Sequence, residues 1–156
     1  MKKKALAVGI GSLIREDDGI GPYCIKLLQQ KESWAIKELV DYLVVHQLDV
    51  IHCGVFAEYE LVVFIDADAQ DGNDVIRVEE ILPEPKPHYF TSHIGSISDI
   101  ISLTGGLFGV TPKAYLVAVQ GSSFAVGDTL SSAARENSQK AVEIVQQLID
   151  KIFPFA

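Results

Sequence analysis

The stretch Lys4-Ala-Leu-Ala-Val-Gly-Ile-Gly-Ser-Leu-Ile-Arg-Glu-Asp-Asp-Gly-Ile-Gly21 carries the strongest fold signal in the chain. Its first part, residues 4–9, is short and mostly apolar, as expected of a central β-strand that is covered on both faces. The glycines that follow allow a tight turn or a close approach of the backbone. Residues 19–30 then have apolar side chains near helical spacing, and Asp17 or Asp18 is suited to cap such a helix. The stretch therefore predicts a strand, a glycine-containing loop and a helix.

The rest of the chain repeats this alternation of strands and helices. Further strands are predicted at residues 43–50, 59–65, 75–81 and 114–119, and the strand at 75–81 is expected near an edge because it is less apolar. Prolines at alternate positions predict an extended loop over residues 83–92. Helices are expected from about residue 93 to 104, where two glycines end the pattern, and over 130–153. We therefore predict one α/β domain over residues 1–156, with a mostly parallel, twisted sheet of about five strands between two helical layers.

The composition fits a soluble globular domain. The chain has 156 residues, of which 48% are hydrophobic and 22% are charged, and this is enough for a sizeable core. Its net charge is −8 with neutral histidines. This charge disfavours nucleic acid as a partner and suits cations or a basic protein surface, although an acidic surface also simply favours solubility.

Cysteine usage and hydropathy predict a cytoplasmic protein. Cys24 and Cys53 are the two cysteines, and no C-x-x-C pair is present, so neither a disulfide scaffold nor a common structural zinc site is expected. The apolar run over residues 5–10 is short and broken by glycine, which favours a buried strand over a signal peptide. No apolar stretch approaches the roughly 20 residues of a membrane helix.

Three residues fall where ligands bind in parallel sheets, beyond the carboxyl ends of the strands. Asp18 lies in the loop after the first strand, Asp66 ends the most apolar strand, and His93 follows the proline-bearing loop. Two carboxylates and a neutral imidazole are suited to a borderline divalent metal with positions left open. Each residue has a plainer alternative, since both aspartates are also typical caps and the histidine is also a typical capping or packing residue.

Other kinds of chemistry are disfavoured by the motifs that are missing. Ile14 stands where a dinucleotide fingerprint has its third glycine, and the acidic loop would repel a pyrophosphate. The H-E-x-x-H motif is absent, and Ser122-Ser123 lack a G-x-S-x-G elbow. Cys53 follows His52, but neighbours in the chain rarely face each other as a catalytic pair. The residues therefore predict a metal-type site without an obvious nucleophile.

The pattern Gly9-x-Gly11-Ser12, then Asp17-Asp18-Gly19-x-Gly21, resembles the N-terminal motif of the hydrogenase maturation endopeptidases. Asp66-Ala67 and the later His93 match further family positions in the same order. The resemblance implies a phosphorylase/hydrolase-like fold and removal of the C-terminal peptide from the large-subunit precursor of a [NiFe]-hydrogenase. It also implies that Asp18, Asp66 and His93 contact nickel that is already held by the precursor. Nickel is then a recognition element, and no tightly bound cofactor is expected.

The chain departs from the family pattern at two places. Ser12 stands where the family usually has asparagine, and residues 48–54 lack the family's Gly-Thr, although Asp49 matches its aspartate. Asp17 or Asp49 is the hypothetical base that would activate a water molecule. Two alternatives stay open: a chaperone-like relative that binds the metal-loaded subunit without cutting it, and a divalent-metal-dependent small-molecule hydrolase.

Overall fold

The computed structural model describes residues 5–31, 37–70, 72–84 and 96–154. The strands are β1 (Ala5–Ile10), β2 (Val40–Val45), β3 (Leu61–Asp68), β4 (Ile76–Ile81) and β5 (Lys113–Gln120). The helices are α1 (Ile20–Lys31), the single turn α2 (Cys53–Phe56), α3 (Ile97–Phe108) and α4 (Ser132–Ile152). Short 3-10 helices cover Glu16–Gly19 and Val50–His52.

The strands form one sheet in the order β2-β1-β3-β5-β4. The first four strands in this order are parallel to one another, and β4 runs antiparallel to β5 at the edge of the sheet. The parallel strands all end on the same side of the sheet, which we call the carboxyl edge. The prediction of a mostly parallel sheet, with the least apolar strand at an edge, is confirmed.

Helices cover both faces of the sheet, as the sequence predicted. On one face, α1 and α4 pack against the sheet through a core that includes Ile20, Ile65 and Val145. On the other face, α2 and α3 pack through a core that includes Phe56 and Ile101. Every residue of β1 is buried, which explains why this segment is apolar throughout rather than alternating.

Two glycines allow α1 to begin directly on the sheet. A Cβ atom at Gly21 would lie 2.3 Å from the carbonyl oxygen of Ile10 and 2.7 Å from that of Ile65. A Cβ atom at Gly9 would lie 2.5 Å from the carbonyl oxygen of Gly21. Any side chain at either position would therefore separate the helix from β1 and β3. This close contact is the physical reason for the spaced glycines, and it holds the acidic loop at the carboxyl edge.

The predicted bounds of the second strand are wrong. We expected a strand over residues 43–50, but β2 spans Val40–Val45. The chain turns into a 3-10 helix at Val50 because Asp49 caps it, with its Oδ1 accepting a hydrogen bond from the Val50 amide at 2.5 Å. Hydrophobicity alone does not reveal such a local polar interaction, since the residues on either side of Asp49 are apolar.

The predicted end of α3 is also wrong. α3 continues through Gly105 and Gly106 and ends at Gly109, whose φ of 68° gives the left-handed cap typical of helix ends. Its predicted start near residue 93 lies outside the described residues, and Ser96 caps the helix by accepting a hydrogen bond from the Asp99 amide at 3.1 Å. None of the helices in the described ranges has the length and hydropathy needed to cross a membrane.

Candidate metal-binding site

Asp18 and Asp66 meet at the carboxyl edge. Asp66 follows Ile65, which pairs with Gly9 of β1, and Asp18 lies in the 3-10 helix that leads into α1. The peptide N–H of Ser12 donates a hydrogen bond to Asp18 Oδ2 at 2.8 Å, so the loop after β1 holds this carboxylate over the strand ends. Both aspartates are half-buried, and the negative charge of Asp18 acts on Asp66. Two of the three predicted ligands therefore share one site.

The carboxyl group of Asp66 is unusually basic. Burial, together with the negative charges of Asp18 and Asp68, raises its pKa to about 6, although the hydrogen bond from the Ala67 amide lowers the pKa in part. Asp68 is itself engaged, because its Oδ2 accepts a hydrogen bond from Arg77 at 3.1 Å. A half-buried carboxylate beside two other negative charges is stabilised by any cation that enters the site. Such a pair is suited to binding a cation.

The third predicted ligand, His93, lies outside the described residues, so its participation stays a prediction. Within the described ranges, no cluster of three or more His, Cys, Asp and Glu side chains is arranged to hold a metal ion. Asp18 and Asp66 alone offer two carboxylate ligands, whereas protein sites for transition metals commonly use three or four ligands. Further ligands would have to come from His93 or from a bound partner.

Asp17, one of the two hypothetical bases, has a different environment from its neighbour. Its side chain is fully buried and accepts hydrogen bonds from Ser122, Ser123 and Ser131. Burial tends to raise its pKa, but the backbone and side-chain donors of these serines outweigh burial and lower the pKa. Neither Asp17 nor Asp18 caps α1 with its side chain, so the predicted capping role is wrong. Asp18 instead accepts a hydrogen bond from Ser12 within its own loop, and Asp17 accepts hydrogen bonds from the loop between β5 and α4.

Asp49, the other hypothetical base, is exposed beyond the end of β2. Apart from the bond to Val50, its own amide donates a hydrogen bond to His52 Nδ1 at 2.9 Å. The ring of His52 stacks on Phe56 with a centroid distance of 6.1 Å. His46 is exposed just beyond β2. The Asp49 carboxylate therefore remains accessible to water, whereas His52 is engaged in local structure.

The two cysteines are buried on opposite faces of the sheet. Burial raises the pKa of the Cys24 thiol to about 12 and also raises that of Cys53. Cys24 Sγ donates to the Ser138 carbonyl, and Cys53 Sγ donates to the Ile100 carbonyl. A buried thiol with a raised pKa is a poor nucleophile, so both residues belong to the core.

Sequence reasoning missed the groups that hold the acidic loop in place. The Ser12 amide fixes Asp18, and Ser122, Ser123 and Ser131 surround Asp17. A signal existed for Ser131, because it directly precedes the long amphipathic helix, where a capping serine is expected. No comparable signal marks Ser122, which is separated from Asp17 by 105 positions in the chain.

Several solved structures share this fold over most of the chain. The hydrogenase maturating endopeptidase HybD from E. coli is 21% identical, with a TM-score of 0.77 over 96% of this chain and 94% of that one. The [NiFe] hydrogenase maturation protease HycI from Thermococcus kodakarensis KOD1 is 20% identical, with a TM-score of 0.72 over 96% and 94%. The chain has the hydrogenase maturation protease fold. No family model matches the sequence, and no curated protein matches it significantly.

A third example of this fold comes from an archaeon. The hydrogenase 2 maturation peptidase from Thaumarchaeota archaeon SCGC_AB-539-E09 is 19% identical, with a TM-score of 0.66 over 94% of this chain and 98% of that one. At such identities the likeness establishes the architecture, while the function of an individual site has to be argued from its own residues. The predicted fold is confirmed over nearly the full length of the chain.

Proposed function

We propose that the chain is an endopeptidase that removes the C-terminal peptide from a nickel-loaded [NiFe]-hydrogenase large-subunit precursor. The observation that carries this proposal is the Asp18–Asp66 pair at the carboxyl edge of a hydrogenase maturation protease fold. Its support is chemical as well as architectural, because burial and neighbouring charges raise the pKa of Asp66 and so favour a cation beside it.

In this proposal, nickel is part of the substrate. Asp18, Asp66 and His93 contact nickel that the precursor's cysteines already hold, and these substrate groups fill the remaining coordination positions. A preformed site with only three ligands binds a free divalent metal weakly, because the metal stays largely solvated. The protein then distinguishes nickel-loaded from nickel-free precursor without keeping a metal of its own.

The surface beside the aspartates suits a protein substrate. Leu13, Ile14 and Val126 are 63%, 68% and 85% exposed, respectively. They lie together, because the Gly127 amide donates a hydrogen bond to the Ile14 carbonyl at 2.9 Å. Exposed apolar side chains close to a polar site are typical of protein-binding surfaces. This surface favours a macromolecular substrate over a small one and supports the precursor as the partner.

For the hydrolytic step we favour an aspartic-type mechanism with Asp49 as the base. Asp49 takes a proton from a water molecule as the water oxygen adds to the scissile carbonyl carbon, and the departing amine receives this proton when the C–N bond breaks. Asp49 is exposed, so its carboxylate is accessible to a water molecule. Asp17 is buried and its acceptors are occupied, so it is the less suitable base. The buried, free cysteines support a reducing compartment such as the cytoplasm.

A second candidate is a relative that binds the nickel-loaded subunit without cutting it. The observation in its favour is the segment of residues 48–54, which lacks the family's Gly-Thr and forms a short capped helix around Asp49 and His52. If this conformation is incompatible with the scissile bond, recognition would survive without hydrolysis. A small-molecule metal hydrolase, in contrast, predicts tight metal binding by the protein alone.

The test is mass spectrometry of the large-subunit precursor from the same organism, with and without nickel, after incubation with the protein. We expect a C-terminal peptide to be lost only from the nickel-loaded precursor. Asp18→Ala, Asp66→Ala and His93→Ala should each abolish this loss. Asp150→Ala is the matched control, because Asp150 is exposed in the last turn of α4, about 28 Å along the helix from the carboxyl edge.

The possible outcomes separate the candidate functions. A stable nickel-dependent complex without cleavage would replace the peptidase proposal with the binding-protein candidate. Cleavage of nickel-free precursor would contradict nickel recognition. Tight nickel binding by the protein alone, with no effect on the precursor, would favour the small-molecule hydrolase.

A further inference from the structure

We infer that Asp17 is a positioning residue, which holds the loop that carries Asp18, rather than the base that activates water. This inference deepens the proposed function and takes its kinetic readout from it. It rests on the Asp17 cluster, which consists of Asp17, Ser122, Ser123 and Ser131.

The Asp17 cluster uses both carboxylate oxygens. Oδ1 accepts a hydrogen bond from the Ser131 amide at 2.8 Å. Oδ2 accepts from the Ser131 hydroxyl at 2.8 Å, from the amides of Ser122 and Ser123 at 2.8 and 3.1 Å, and from the Ser122 hydroxyl at 3.2 Å. Five donors around a side chain with no exposed surface leave no room for a substrate water. A base, in contrast, needs a lone pair that faces the reacting molecule.

The cluster joins two loops at the carboxyl edge. One is the loop of residues 11–19, which carries Asp18, and the other is the loop of residues 121–131 between β5 and α4. Backbone hydrogen bonds of 2.9 Å run from the Asp17 amide to the Ser123 carbonyl and from the Glu16 amide to the Gly127 carbonyl. Ser131 also caps α4 by accepting a hydrogen bond from the Ala134 amide at 3.1 Å. Asp17 therefore ties the Asp18 loop to the start of the longest helix.

Because Asp17 and Asp18 are adjacent in the chain, the position of Asp17 determines the position of the Asp18 carboxylate. The side chain of Asp17 extends to the serines, while that of Asp18 accepts a hydrogen bond from the Ser12 amide. A Cβ atom at Gly121 would lie 2.9 Å from the Asp17 Cβ, so the second loop also packs closely against Asp17. Any change that moves Asp17 shifts the adjacent peptide group and with it the Asp18 carboxylate. Displacement of a positioned group by about 1 Å is enough to weaken recognition strongly.

A carboxylate is required for this role. An asparagine at position 17 has one acceptor oxygen and one NH2 group, and that NH2 group would face the N–H donors that now bind Asp17. Ser122→Ala is the milder change, since it removes one hydroxyl donor and keeps the backbone amide. Ser98→Ala is its matched control, because it likewise removes one serine hydroxyl, which donates to the Leu82 carbonyl on the opposite face of the sheet.

The first test is NMR hydrogen exchange of the Ser12 amide, which needs only the protein itself. We expect this amide to exchange on the order of tenfold faster in Ser122→Ala, since one hydrogen bond to a charged group is lost. The core amide of Val63 should exchange faster only in proportion to the loss of global stability that urea unfolding measures, and Ser98→Ala should leave the exchange of Ser12 unchanged. Unaltered exchange at Ser12 in Ser122→Ala would overturn the positioning role, whether or not the protein proves to be a peptidase.

The second test is steady-state cleavage of nickel-loaded precursor. A positioning role predicts that Ser122→Ala raises KM on the order of tenfold, with kcat and its pH profile retained. Asp17→Asn should raise KM further. If Asp17 were the catalytic base, kcat rather than KM would change. Asp17→Asn would then abolish kcat and the acidic limb of the pH profile, while Ser122→Ala would leave KM unchanged. That result would overturn the inference. Absence of cleavage by the unmodified protein would contradict the proposed function only, because the Ser12 measurement stands independently.

Discussion

Asp17 and Asp66 are both withdrawn from solvent near the carboxyl edge, yet their environments differ in kind. Asp17 is surrounded by donors from three serines, and its pKa is lowered. Burial and two neighbouring negative charges raise the pKa of Asp66 to about 6, although a hydrogen bond from the Ala67 amide partly opposes this rise. The fold thus stabilises the charged form of one aspartate and opposes that of the other.

This difference separates a structural carboxylate from a ligand. Hydrogen-bond donors of the protein stabilise the ionised Asp17 carboxylate, so Asp17 contributes to the stability of the fold. The ionised Asp66 carboxylate has neighbouring negative charges rather than a positive one. It therefore favours the binding of a cation, but it lowers the stability of the folded protein. Asp18, although adjacent to Asp17 in the chain, belongs with Asp66, because it has one donor from Ser12 and lies half-buried at the edge.

The largest effect is expected for Asp17→Asn. This change should lower the free energy of unfolding at pH 7 by roughly 3–5 kcal/mol, because buried donors lose their acceptors and one is opposed by an NH2 group. A lowered pKa in the folded state means that the stabilisation by Asp17 is present above the unfolded pKa and is lost as the pH falls through the folded value. Urea unfolding at pH 7 and below pH 4 should therefore show a loss that shrinks in acid.

Asp150→Asn serves as the control for Asp17→Asn, because Asp150 is exposed in α4. It should change the stability little at either pH. Equal stability of Asp17→Asn and the unmodified protein at pH 7 would show that the serine donors do not stabilise the carboxylate, and the contrast with Asp66 would fail.

Asp66→Asn is expected to raise the free energy of unfolding at pH 7, whereas Asp17→Asn lowers it. The pKa of Asp66 rises from 3.8 to about 6 on folding, so the unmodified protein loses up to roughly 3 kcal/mol of stability as the pH rises through this interval. The asparagine side chain carries no charge, so the variant avoids this loss. We expect the variant to be more stable than the unmodified protein at pH 7 and equally stable below pH 4. Urea unfolding at the two pH values measures this, and a destabilised variant at pH 7 would contradict it.

A smaller loss is expected for Ser122→Ala. Removing one hydroxyl donor from the Asp17 cluster should cost about 1–2 kcal/mol at pH 7, because the four other donors remain. The loss should shrink when Asp17 is already replaced by asparagine, which a double-mutant cycle measures by urea unfolding. Simple additivity of the two losses would show that the hydroxyl acts independently of Asp17.

The smallest effect is a change in the pKa of Asp66 when Asp18 is replaced by asparagine. The negative charge of Asp18 contributes to the raised pKa of Asp66, so its removal should lower that pKa. NMR titration of the Asp66 carboxyl carbon measures the change, and Asp68→Asn provides a comparison because Asp68 acts in the same direction with a smaller effect. An Asp66 pKa that does not move in Asp18→Asn would show that the two carboxylates do not share a site.

Much of the fold was predictable from the sequence, because strands covered on both faces read as continuous apolar runs. β1 and β3 are found where these runs occur, and Gly9 and Gly21 mark the contact of α1 with the sheet. The boundary at β2 was not predictable, since it depends on a local cap by Asp49. The continuation of α3 through Gly105 was not predictable either, because glycine in a helix is tolerated only where tertiary packing supports the helix.

The site was predictable only as far as topology determines it. The rule that ligands bind beyond the carboxyl ends of parallel strands is enough to bring Asp18 and Asp66 to one edge of the sheet. The difference between Asp17 and Asp18 was not predictable, because it depends on serines more than 100 positions away in the chain. His93 lies outside the described residues and stays a prediction.

The most direct test of the central claim is the preference of the protein for nickel-loaded over nickel-free precursor, compared between the unmodified protein and Asp66→Asn. We expect the unmodified protein to bind the nickel-loaded precursor more tightly, and the variant to lose this preference although it folds more stably at pH 7. A variant that keeps the full preference for nickel would contradict the assignment of Asp66 as the residue that recognises the metal in the substrate.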